Sequence, residues 1–185
     1  VQNARVSVAF ARTQTRLEKL NEAMSNKMMA TSNTLRPMLG DFVNVIDFKA
    51  LLDGIEENMG KKAAAIIIST AGRAYGKKIA TMLGATAETQ DLTTVLKKLN
   101  KSLGMEGTRL CVIDEVTQQE GFIRVTIVEP LEMCGENANS ERLCPFTLGI
   151  LGGFIDQILQ KRHQGRQIAV AEQAGLQTEF EFTPV

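Results

Sequence analysis

The segment 108–128, TRLCVIDEVTQQEGFIRVTIV, is where the periodicity of the chain changes. Before it, apolar residues recur three and four apart. Within it they alternate, and many are β-branched, among them Ile113, Ile123, Val125 and Ile127. Alternation at period two marks a half-buried strand. The runs 108–116 and 121–128, separated by the polar turn 117–120, predict an antiparallel hairpin. A second alternating pair, 167–171 and 177–183 around Gly175, predicts another.

The helical signals lie mainly upstream. Asp47 is placed as a cap ahead of Phe48, Leu51, Leu52 and Ile55, which share one helical face, and Gly60 ends that helix. In 61–83 the residues Ala64, Ile67, Ile68, Ala71, Tyr75, Ile79 and Leu83 form one side of a longer helix closed by Gly84. The run 66–68 also suits a strand, but the length and the flanking alanines favour a helix. Asp91 opens a third helix with the stripe Leu92, Val95, Leu96, Leu99 and Leu103, stopped by Gly104. A fourth spans 146–159, between the two hairpins. Helices gathered first and an antiparallel sheet later predict an α+β fold, N-terminal helices packed on a C-terminal sheet, and not a doubly wound one.

Two further regions precede this block. Phe10, Thr13, Leu17, Leu20 and Met24 fall three and four apart with charges between them, so 1–30 reads as an amphipathic helical extension. A loosely docked helix is the commoner outcome of such a pattern; the alternative is pairing with a protein partner through 10–28. Residues 31–40, with Ser32, Asn33 and Pro37, form a connector, and the domain is set at 40–185.

Composition removes several function classes. The 21 basic residues balance 21 acidic ones, whereas a nucleic-acid binder needs a basic excess facing the phosphates. With no Trp, one Tyr and one His, a stacking platform for single strands is poorly supplied. The cysteines Cys111, Cys134 and Cys144 are odd in number and unevenly spaced, so they are read as reduced thiols in a cytoplasmic protein. The apolar runs 63–69 and 148–155 fall far short of a bilayer span, and no secretory leader is visible.

Motifs for chemistry are sparse. Gly72-Arg-Ala-Tyr-Gly76-Lys-Lys lies inside a helix and lacks the Lys-Ser/Thr ending of a nucleotide loop. Gly72 and Gly76, four apart on one face, instead predict the close approach of another backbone. Gly149-Ile-Leu-Gly152-Gly153 has neither the preceding strand nor the following acid of a dinucleotide fingerprint. His163, within Lys161-Arg-His-Gln-Gly165, is assigned to a frayed, solvated helix end, leaving no evident base for a Cys–His nucleophile. Glu129, Glu132 and Glu136 cluster around Cys134. Cys134 and Cys144 are the only candidate thiolate ligands there, too few for a structural zinc site.

The order of the pieces carries a resemblance. Ala71-Gly-Arg-Ala-Tyr-Gly-Lys-Lys is followed by the hairpin, by Glu129-Pro-Leu-Glu-Met-Cys134, and by Leu143-Cys-Pro-Phe-Thr-Leu-Gly-Ile-Leu-Gly-Gly-Phe154. Ile168-Ala-Val-Ala-Glu172 and Glu179-Phe-Glu-Phe182 close the series. This resembles the 4-vinyl reductase, or hydrocarbon-binding, domain family, whose fold is shared with the TRAPP vesicle-tethering subunits. The resemblance covers roughly 40–185. It implies a commonly homodimeric domain enclosing an apolar pocket for an aromatic, lipid-like or tetrapyrrole-type ligand. Phe48, Leu52, Ile68, Tyr75, Leu148, Leu151, Phe154 and Ile155 are the implied ligand-binding residues. Each suits an ordinary core equally well.

Zinc-holding members of that family place two further cysteines after the position of Glu172, and this chain has none there, so zinc is not expected. The reading is a non-catalytic binding domain in a regulatory or assembly role. The alternatives are an interaction scaffold without a small ligand and a subunit of a tetrapyrrole vinyl reductase.

Overall fold

The computed structural model describes residues 44–85, 91–137, 140–172 and 176–185. The amphipathic extension 1–30 and the connector 31–40 lie outside the described residues. Helices α1 (Val45–Met59), α2 (Lys61–Met82) and α3 (Leu92–Leu103) precede strands β1 (Val112–Gln119) and β2 (Phe122–Val128). A single 3-10 turn, Leu131–Met133, then leads to α4 (Pro145–Leu159), β3 (His163–Glu172) and β4 (Leu176–Pro184).

The four strands form one antiparallel sheet in the order β1-β2-β4-β3, so the architecture is α+β. Each hairpin supplies one edge strand and one central strand. The inner face carries Ile123, Val125, Ile127, Phe180 and Phe182, all at most 4% exposed. The outer face carries Arg124, Glu179 and Glu181.

Helix α4 is buried on nearly every side, the pattern of a helix enclosed within a core. Four glycines explain how α2 lies against it. A methyl group on Gly72 would come to 2.2 Å from the Phe146 carbonyl oxygen, and one on Gly76 to 2.0 Å from that of Ile150. From the other side, Gly149 faces the Ser69 carbonyl at 2.2 Å and Gly153 that of Arg73 at 2.1 Å. The predicted backbone approach at Gly72 and Gly76 is present, and α4 is the partner.

The glycine seam turns α2 about its axis. Gly72, Gly76 and Ala80 join Ala64, Ile68 and Ile79 as buried residues, while Ile67, expected inside, is 46% exposed. Ala71 is exposed as well.

Helix α3 matches its predicted stripe at all five positions, and Asp91 caps it by accepting from the Thr94 amide at 2.8 Å. Its Asn100 side chain reaches β1, donating to the Ile113 carbonyl (3.0 Å) and accepting from the Ile113 amide (2.8 Å).

Three local expectations are corrected. The cap of α1 is Asn44, which accepts from the Ile46 amide at 2.9 Å, so Asp47 lies within the first helical turn. The first hairpin turns at Glu120-Gly121, where Gly121 takes φ 91°, and Thr117, Gln118 and Gln119 continue β1 as solvent-facing edge residues.

His163 is not at a frayed end. Helix α4 stops at Gln160, in the left-handed region with φ 50°, and the chain reverses there into β3. His163 is 4% exposed, and its amide donates to Asp156 Oδ1 at 2.8 Å. Arg73 joins them, bonding Asp156 and the His163 carbonyl, so one carboxylate ties α2, α4 and β3 together.

Candidate functional site

Two clefts lie at the margin of the apolar core. A cleft of about 400 Å³ opens where α2, the start of α4 and β3 meet. Ala65 and Ile66 of α2, with Leu143, Pro145 and Leu148, give it an apolar wall; Ser69, Cys144, Arg166 and Gln167 supply polar atoms. Ile66 and Leu143 are 70% and 56% exposed. A smaller cleft of about 230 Å³ shares Ala65, Leu143 and Pro145 and continues toward Glu56, Lys61 and Arg142.

Long-range hydrogen bonds hold the first turn of α4. Its N-cap residue, Cys144, makes no capping bond through its own side chain, and Pro145 follows it. The amides of the next two residues turn to Glu132 instead. Phe146 N donates to Oε1 at 2.6 Å, Thr147 N to Oε2 at 3.3 Å, and the Thr147 hydroxyl to Oε2. A carboxylate at a helix N-terminus meets unpaired amides and the positive end of the helix dipole. From β3, Gln167 Oε1 accepts from Cys144 N at 2.9 Å. Glu132 and Gln167 thereby set the position of the cleft wall.

Glu132 is 1% exposed, and burial lifts its carboxyl from the ordinary range to about 7 against the opposing pull of the Thr147 and Phe146 hydrogen bonds and of Arg142. The native state thus binds a proton that the unfolded chain has released. Stability from this group is complete below the unfolded value near 4.5 and is lost as pH rises through about 7. Glu132→Gln keeps a carbonyl for Phe146 N and removes that titration. Stability measured by urea denaturation from pH 5 to 8 should fall for the native sequence relative to this variant, by on the order of 2 kcal/mol in all. Parallel curves would show that the carboxyl does not titrate there.

The other acids near Cys134 are engaged elsewhere. Lys49 Nζ donates to Glu136 at 2.9 Å and to the Cys134 carbonyl at 2.7 Å. Arg142 meets Asp53 at 2.7 Å, Glu56 at 3.4 Å and Glu136 at 3.9 Å, joining α1 to the loop before α4. Glu129 is exposed. Cys134 is exposed too, whereas Cys144 is buried and desolvation pushes its thiol well above the usual range. Burial likewise raises Cys111, to about 12. Among the described residues no three His, Cys, Asp or Glu side chains gather as a metal ion would require.

The eight residues assigned to a ligand fall into three groups. Leu151, Phe154 and Ile155 are wholly buried in the main core. Leu52 and Ile68 form a satellite cluster with Ala64, against which Phe48 packs, and Tyr75 stacks on Phe146 at 6.3 Å. Leu148 alone of the eight lines the larger cleft. Ile66, Leu143, Arg166 and Gln167 were not singled out from sequence. The signal open to a reader was Ile66 beside Ile67 and Ile68, three consecutive apolar residues that no single helical face can bury.

Neither family models nor curated proteins match this chain. Solved structures do. The phenol-responsive sensory domain of the transcription activator PoxR superposes with a TM-score of 0.60 at 13% identity, over 78% of this chain and 76% of that one. A mutant H-NOX domain of T. tengcongensis gives 0.53 at 11% identity, over 78% and 76%. At such identities the shared property is the fold, an α+β architecture that also occurs in sensory domains. Among the described residues no helix is long and apolar enough to cross a membrane.

Proposed function

We propose that this chain is a small-molecule-binding domain without catalytic chemistry, acting in a regulatory or assembly role, and that the cleft between α2, α4 and β3 receives the ligand. The observation that carries this reading is the cleft itself. It has an apolar wall, few polar atoms, and a volume of about 400 Å³, at the lower end of the roughly 300–1,000 Å³ typical of small-molecule sites. That size favours a compact aromatic or aliphatic molecule over a whole tetrapyrrole. The phenol named for the PoxR domain is a ligand of the compact kind. Phe48, Leu52, Ile68, Tyr75, Leu151, Phe154 and Ile155 then act behind the site as its supporting core, and Leu148 contacts the ligand.

The homodimer implied by the family resemblance belongs to the same proposal. A native mass spectrum of the purified protein tests both: a mass near twice 20.3 kDa, carrying a small adduct, is expected. Ile66→Glu should remove the adduct without unfolding the protein, because that side chain is 70% exposed. An adduct indifferent to Ile66→Glu would place the ligand elsewhere. Protein free of any adduct, and unable to take up a compact apolar compound, would favour the interaction scaffold.

A further inference from the structure

The cleft has one polar side chain to spare. Its floor is the first turn of α4, with Pro145 and Leu148, between α2 on one side and β3 on the other. A methyl group on Gly149 would lie 2.2 Å from the Ser69 carbonyl oxygen of α2, and one on Gly165 of β3 would lie 2.9 Å from Leu148 Cδ1. The lining includes no acid, and three of its four polar side chains are engaged or shut away. The Arg166 guanidinium lies on the outer face of the sheet, donating to Glu181 Oε1 at 3.1 and 2.6 Å within a network that Arg124 and Glu179 complete. Gln167 is held at both ends, accepting from Cys144 N at 2.9 Å and donating to the Arg142 carbonyl at 3.5 Å. Cys144 itself is 1% exposed.

Ser69 is the fourth. Serine and threonine within helices can return their hydroxyl to the carbonyl four residues back. Thr70 bonds the Ile66 carbonyl in this way at 2.7 Å, Thr81 that of Lys77 at 3.1 Å and Ser102 that of Lys98 at 3.4 Å. Ser69 does not. Among the described residues its hydroxyl has no hydrogen-bond partner, and the residue is half-buried in the lining of the cleft. A ligand that covers this hydroxyl without offering a hydrogen bond strands it, whereas an oxygen at that point satisfies it. An ionised carboxylate or ammonium finds no opposite charge there and loses its hydration.

We propose that the cleft selects an uncharged ligand with a single hydrogen-bonding oxygen, held by the Ser69 hydroxyl, and with its apolar body against Ile66, Pro145 and Leu148. This rests on the cleft being the binding site proposed above. A serine hydroxyl both donates and accepts, so it meets a ligand oxygen in either direction. Ser69 thereby sets specificity within a site whose affinity comes from apolar contact.

The test compares three probes, benzyl alcohol, toluene and benzoate, by ligand-observed NMR titration of the intact chain and of its Ser69→Ala variant. That substitution removes no bond to any described residue and places a better helix former in α2, so the denaturation midpoint should not fall. Benzyl alcohol should bind the variant about two- to tenfold more weakly than the native sequence, and toluene equally well or more tightly. Benzoate should bind the native sequence at least about tenfold more weakly than benzyl alcohol. Equal losses for benzyl alcohol and toluene, or none for either, with both weakened by Ile66→Glu, would overturn the Ser69 anchor while leaving the cleft as the site. Benzoate binding as tightly as benzyl alcohol, or a lower midpoint for ligand-free Ser69→Ala, would overturn it too. Failure of both uncharged probes to bind, or binding indifferent to Ile66→Glu, would overturn the cleft reading along with it.

Discussion

Gly76→Ala should cost about 3 kcal/mol or more, while the same change at Gly54 should stabilise the protein by about 0.5–1 kcal/mol. Both glycines are interior to helices, so intrinsic propensity favours alanine at each. At Gly54 a methyl group meets nothing within 4 Å. At Gly76 it would lie 2.0 Å from the Ile150 carbonyl oxygen and 2.9 Å from the Phe154 amide nitrogen. Those are backbone atoms of α4, which cannot swing aside as a side-chain end can, so the two helices must separate. Packing around α4 on both sides then loosens. Urea denaturation of the two variants beside the native sequence reads the effect directly. Equal midpoints for the pair would mean that the helix contact is less intimate than described.

Phe154→Ala is expected to cost about 3–5 kcal/mol. The ring is wholly buried in the main core. The core cluster it belongs to draws residues from several helices and strands, and a cavity in such a core is filled only in part by relaxation. The sequence alone allowed Phe154 to be either a ligand contact or a core residue, and this variant separates the two. As a core residue it lowers the denaturation midpoint whether or not any small molecule is present. A ligand contact would leave the midpoint of ligand-free protein nearly unchanged and weaken binding instead.

Elements held by local rules were legible in the sequence. The α3 stripe, its Asp91 cap and the glycine approach of α2 all follow from spacing and backbone sterics within a few residues. Features that depend on distant partners were not. His163 looked solvated because the polar residues around it resemble a helix end, and its burial arises from a carboxylate on α4 and a guanidinium on α2.

The outer edge of β1 hid in the same way. Thr117, Gln118 and Gln119 are polar because that strand faces water, and polarity in a hairpin reads first as turn. Glu132 left a faint trace: a helix that begins at Cys144-Pro145 has no capping side chain of its own, so some distant acceptor was required. The cleft was the least legible of all, since its residues come from two helices, a loop and a strand with no pattern in common.

The Asn100 side chain has a further effect on how the sheet meets other chains. By offering one donor and one acceptor to Ile113, it imitates a neighbouring strand along the edge of β1. An incoming chain would have to displace it before pairing there. At the opposite edge the start of β3 is held in the same way, the His163 amide donating to Asp156 Oδ1 at 2.8 Å and its carbonyl accepting from Arg73 Nη2 at 3.3 Å. Each outer edge of the sheet is thereby blocked at one position by side chains of the protein itself, which works against growth of the sheet by edge addition.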